Sequence, residues 1–90
     1  MKISYDPAKR AKALAERDLD FEEAATVFAG KTLTVDDDRK DYGEIRHITV
    51  GLLRERMMVL VWTLRGDTHH IISFRKANGR EKEKYKDRMG

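Results

Sequence analysis

Residues 44–76 read EIRHITVGLLRERMMVLVWTLRGDTHHIISFRK. Three apolar or alternating segments are separated here by short polar turns. From Glu44 to Leu52 the pattern alternates, and Ile48, Val50 and Leu52 share one face of a strand. Arg54-Glu55 makes a turn. Met57 to Leu64 is apolar almost throughout, as expected of a central strand buried on both faces. Arg65-Gly66-Asp67 makes the next turn, and His69 to Phe74 forms the last strand. Tight turns between neighbouring strands make an antiparallel meander.

Upstream the period differs. Residues 2–5 form a short strand. Asp6-Pro7 starts a helix, because Asp accepts from free backbone N–H groups and proline suits the first helical position. The helix runs to about Arg17, with Ala8, Ala11, Leu14 and Ala15 on one face. A second helix starts at Asp20, with Glu23 placed to complete a capping box. Phe21, Ala24, Ala25 and Phe28 form its stripe, and Gly30 caps its end. Thr32 to Val35 is β-branched and alternating, hence a strand. Asp36 to Gly43 is a polar loop. Downstream, Asn78 caps a final helix over about 79–88, with Glu81 three residues on. Tyr85 and Met89 are its only large apolar side chains, so it docks through Tyr85 or waits for a partner. The order is β-α-α-β-β-β-β-α: a single α+β domain over residues 1–90, with a small antiparallel sheet, two N-terminal helices and one C-terminal helix.

Composition bounds the function. Ninety residues make one domain. The longest apolar run, Met57 to Trp62, is far short of the about 20 residues of a membrane span, so no membrane association is expected. The N-terminus lacks the apolar stretch of a secretory signal. Without cysteine there is no disulfide, thiolate zinc site or cysteine nucleophile, which suits the cytoplasm. Net charge is +3, and residues 75–90 alone hold seven cations against three anions. A basic end on a near-neutral body points to a polyanion or an acidic protein as partner; a solvated helix face is the plain alternative.

Several residues carry candidate chemistry. Arg46, Arg65 and Arg75 fall on or beside the sheet, and Lys76 follows Arg75. The planar fork of arginine gives two parallel hydrogen bonds to a phosphate, so arginines at strand ends can converge on one. Surface pairing, such as Arg46 with Glu44, is the competing reading. His69 and His70 point to opposite sheet faces and cannot easily share a metal; either can act as acid or base. His47 has the same two readings. Asp36-Asp37-Asp38 reads as a turn in preference to a cation site, since consecutive side chains do not converge. Tyr5, Tyr42 and Trp62 are candidates for base stacking, with Trp62 and Met57-Met58 better placed as core. The sequence has no phosphate-binding GxxxxGK loop, GxGxxG, GxSxG or HExxH, which removes nucleotide hydrolysis, dinucleotide redox chemistry, α/β-hydrolase and zincin activities.

In order along the chain stand YDPAK (5–9), DFEEAATVF (20–28), DDDR (36–39) with YGEIR (42–46), the glycine of ITVGLL (48–53), VWTLRGD (61–67), and IISFRKAN (71–78) with REKEKY (80–85). In these segments the chain resembles the BrnT family of toxins from BrnT–BrnA toxin–antitoxin pairs. The resemblance implies a RelE-like ribonuclease that cuts RNA without metal or cofactor and so inhibits translation and growth. It also implies a ribbon-helix-helix antitoxin, the BrnA-like partner, through which alone DNA is met. It points to Asp6, Lys9, Glu44, Arg46, Arg65, Arg75, Lys76, Glu81 and Tyr85. Where many members carry Lys-His-Gly, this chain has Glu16, Arg17 and Asp18, so no role transfers to that histidine. Asp18 replaces a glycine where φ is expected to be positive. Position 70 is often arginine in the family, and position 74 is usually smaller than phenylalanine.

Metal-free RNA cleavage needs a base for the 2′-OH, an acid for the leaving 5′-oxygen, and fixed cations for the charge on phosphorus. The expected catalytic set is Glu44, Arg46, Arg65, His70 and Arg75, with Glu44 or His70 moving protons. Lys76 and Arg80 are the expected RNA contacts. The rivals are a non-catalytic nucleic-acid-binding module and a protein-interaction module.

Overall fold

The computed structural model describes residues 1–39 and 41–89. Lys40, in the expected polar loop, lies outside them. The elements run β1 (Lys2–Tyr5), α1 (Pro7–Arg17), a 3-10 turn (Phe21–Glu23), α2 (Ala24–Ala29), β2 (Thr32–Asp37), β3 (Arg46–Leu53), β4 (Arg56–Arg65), β5 (Thr68–Lys76) and α3 (Gly79–Met89). The order matches the expectation. Among the described residues, no helix is long and apolar enough to cross a membrane.

The sheet order is β1-β5-β4-β3-β2, and the apolar strand β4 is central. The sheet is mixed, which corrects the antiparallel expectation. β2 to β5 form an antiparallel meander, but β1 adds to β5 in parallel, with Ser4 opposite His70. Tight turns force antiparallel pairing only on chain neighbours. β1 reaches β5 from the far end of the sequence and is under no such constraint.

Alternation along the strands sorts the side chains onto two faces. On one face, α1 and α2 cover a core of Ala13, Phe21, Val27, Met58, Leu60, Trp62, Ile71 and Phe74. On the other, α3 covers Val50, Met57 and Val59 by way of Met89 and Tyr85. The last helix therefore docks, as one of its two expected states required. A bulge at Ile72 shifts the β4–β5 register beyond Val61.

Three local expectations are corrected. In α1 the buried residue is Ala13, and Leu14 is exposed. Lys9 donates to the Ile72 carbonyl and Arg10 grips Asp20, so polar anchors rotate the helix away from its expected stripe. At Asp20 no capping box forms. Its carboxylate accepts from the Glu22 N–H, one residue early, and the Glu23 carboxylate pairs with Arg54 instead. The capping box forms in full at α3, where Asn78 and Glu81 exchange both hydrogen bonds. β2 also runs two residues past Val35, into the expected loop.

Candidate active face of the sheet

Register places Arg46, Arg65, His70 and Arg75 on the α3 face of the sheet. Thr63 pairs with His70 and Val59 with Arg75, and Val59, Val61, Thr63 and Arg65 alternate onto that face of β4. Ile48 stands opposite Val61, which brings Arg46 to the same side. The helix α3 covers only the half near Val50 and Val59, and the polar group lies at the other half.

Glu44 organises that group. It precedes β3, and its carboxylate accepts from Arg46 Nε at 3.3 Å and lies 4.0 Å from Arg65 Nη2. The Arg46 guanidinium also lies over the Tyr42 ring, 4.0 Å from its centre. The ion pair foreseen between Arg46 and Glu44 is thus present, and it joins two candidate residues. Nearby, Thr63 is buried and donates to the Ile45 carbonyl at 2.6 Å, which fixes the chain next to Glu44.

His70 is half-buried beside this group. Its Nδ1 meets Ser4 Oγ at 2.8 Å. Burial pushes its pKa below the usual histidine value, and the Arg65 charge pushes it the same way. Glu44 opposes the shift without reversing it. The downward shift favours the neutral ring, the form able to accept a proton.

Arg75 stands apart. Val59 and Thr63 are four residues apart on β4, so Arg75 and His70 attach about 13 Å apart along the strands. Arg75 makes a two-bond pair with Glu81, at 2.7 and 2.9 Å. That pair, helped by the Asn78 N–H, lowers the Glu81 pKa to about 2 against the opposing effect of burial. Arg39 is near enough to work against the Arg75 charge, and it is itself clamped to buried Asp37. The pairing with Arg39 lowers the Asp37 pKa to about 2.

Lys76 is not brought to this group. It pairs with Met58, whose side chain lies on the α1/α2 side. Arg80 is exposed in the first turn of α3. The histidine pair splits as expected. His69 lies on the α1/α2 side against Trp62 and Phe28, and burial lowers its pKa too. His47 stacks on Trp62 and meets Asp36 at 3.0 Å. Trp62 is core, donating to Thr49 at 2.8 Å. Among the described residues, no three His, Asp or Glu side chains gather as a metal site. Ser4 escaped sequence reasoning, since only the parallel pairing of β1 sets it against His70.

With this face described, comparison with known families decides the identity. A model of the ribonuclease toxin BrnT of type II toxin–antitoxin systems matches residues 5–81. The chain belongs to the BrnT family. The match takes in Glu44, Arg46, Arg65, His70, Arg75 and Glu81 and stops inside α3. Members of the BrnT family are ribonuclease toxins whose systems pair them with a protein antitoxin, so RNA and that antitoxin are the partners of this chain. The rest of α3 beyond Glu81, with both apolar docking side chains, Tyr85 and Met89, is outside the matched region. No curated protein matches the sequence.

Proposed function

We propose that this chain cleaves RNA on the open half of the α3 face, without a metal, and so blocks translation and growth in the cytoplasm. The observation that carries the reading is the placement of a half-buried histidine beside two arginines that one carboxylate holds together. His70 accepts the proton of a ribose 2′-OH. The 2′-oxygen attacks phosphorus, the P–O5′ bond breaks, and the 5′-oxygen takes a proton from solvent. The products are a 2′,3′-cyclic phosphate and a 5′-hydroxyl. Arg46 and Arg65 hold the charge that builds on the phosphate oxygens. Glu44 is a positioning residue that sets their direction, and Ser4 orients His70.

Arg75 has a different part in this reading. Its distance along the sheet suits a phosphate further along the same strand, with Arg80 as a further backbone contact; Lys76, on the other side of the sheet, is outside this path. The mixed sheet with helices on both faces supports the RelE-like assignment. The antitoxin is a DNA-binding protein of ribbon-helix-helix type that neutralises the toxin.

The test is cleavage of a labelled RNA in EDTA by wild type and by Arg46→Ala, with end-group analysis of the products. Wild type should leave cyclic phosphate ends, and the variant should be slower by about 10² or more. RNA that is bound and protected, but never cut, would transfer the chain to the binding-module class.

A further inference from the structure

At the end of the sheet away from His70, the β3–β4 turn and α3 enclose an open groove of about 680 Å³. Leu52, Met57 and Met89 form its floor, and Leu52 remains 38% exposed. Arg56, Lys76 and Lys82 stand at its rim. A second hollow of about 400 Å³ shares Arg56 and Lys76 and adds Arg17 and Arg54, over Leu53 and Met58. Two of the cations in these linings are already engaged, Lys86 by Glu83 and Arg54 by Glu23. Arg17, Arg56, Lys76 and Lys82 have no ion pair among the described residues. Glu55 and Asp18 are the only acids in either lining.

We infer that this groove is the docking surface for an acidic segment of the antitoxin, one that sets a large apolar side chain on the Leu52–Met57–Met89 floor between flanking Asp or Glu residues. The combination of floor and rim selects that occupant. Four unpaired like charges repel one another, and an acidic partner relieves the repulsion. The aliphatic floor gains by excluding water, which a phosphate backbone cannot supply. RNA would need rings to stack its bases, and no aromatic side chain lines either hollow. A second copy of this chain is less well matched, because two of the three acids in its acidic run are already engaged, Asp36 by His47 and Asp37 by Arg39. The groove also explains the composition of α3. Tyr85 and Met89 are the apolar side chains that dock that helix, and it turns Lys82 and Lys86 to the groove.

The inference relies on the toxin reading only for the existence of an antitoxin. The probe is the cognate antitoxin protein, titrated calorimetrically into wild type, Arg56→Glu/Lys82→Glu and Leu52→Ser. Each variant is also checked for thermal unfolding and for RNA affinity. Antitoxin affinity should fall about tenfold or more in both variants, with unfolding temperature and RNA affinity unchanged for the charge-reversed one. Affinity for the wild type should fall as salt rises. Unchanged antitoxin affinity overturns the assignment. So does RNA affinity that falls in parallel, which would make the groove an RNA surface, or a wild-type dimer that the variants dissolve. RNA cleavage is scored separately. A chain that binds antitoxin through the groove but cuts no RNA would keep this inference and lose the ribonuclease mechanism.

Discussion

Arg75 and Glu81 meet through two parallel hydrogen bonds and so tie the last strand to the last helix. The same Glu81 carboxylate closes the capping box with Asn78. One side chain thus starts α3, holds it to the sheet and fixes a candidate RNA contact.

Glu81→Gln should destabilise the fold by about 2 kcal/mol at neutral pH, since a partly buried charge-assisted pair is reduced to weaker bonds. The Glu81 pKa falls on folding from 4.5 to about 2. A carboxylate with a lowered native pKa stabilises above its unfolded value and loses that contribution as pH falls through the native one. The stability gap between wild type and variant should therefore be full above pH 4.5 and close as pH approaches 2. Denaturant titrations across that range check it.

Gly51→Ala should cost about 1–3 kcal/mol. A β-carbon there would lie 2.6 Å from Val27 Cγ1 and 3.1 Å from Thr32 Cγ2. Val27 is fully buried and has little room to yield. Val27→Ala, costly alone, should cost less in the Gly51→Ala background, because the two substitutions relieve one clash. Urea unfolding of the four proteins in this cycle measures the coupling.

How much of this was legible in advance follows from chain distance. The β3–β5 meander and the central place of β4 follow from runs of local pattern, as do the helix starts at Asp6 and Asn78. The need for positive φ at Asp18 is met, at 55°. The parallel seat of β1 was not legible, because Ser4 and His70 are 66 residues apart and no local feature joins them. The capture of Glu23 by Arg54 was hidden in the same way: a good local capping partner lost to a tertiary one. Among the site residues, the one-face grouping of Arg46, Arg65, His70 and Arg75 depends on the β4–β5 bulge, which alternation does not announce. Lys76 falls on the other side by the ordinary alternation that follows Arg75.

The β3–β4 turn stores strain that substitution should release. Arg54 and Glu55 both have positive φ, at 48° and 67°, in a two-residue loop closed by Leu53 and Arg56. Such loops favour Asn-Gly, and each L-residue held there costs about 1 kcal/mol. Glu55→Gly should raise stability by about 1 kcal/mol and shift the thermal midpoint upward. Arg54 is better left in place, since its pair with Glu23 offsets part of its own strain.

RNA cleavage should depend on pH in one direction on the acid side. His70 has a pKa below the ordinary 6.5, and the base must be neutral. Activity should be flat near neutrality and fall as pH drops below that lowered value. Arg65→Gln removes a charge that holds the pKa down, so the acid limb should move to higher pH. Rate–pH profiles of both proteins test the shift.

The most direct measurement is single-turnover cleavage of a labelled RNA in EDTA, by wild type and His70→Gln side by side, with equal RNA binding verified first. Loss of about 10² or more in rate, with binding retained, is the predicted result. An undiminished rate in the variant would contradict the assignment of proton transfer to His70.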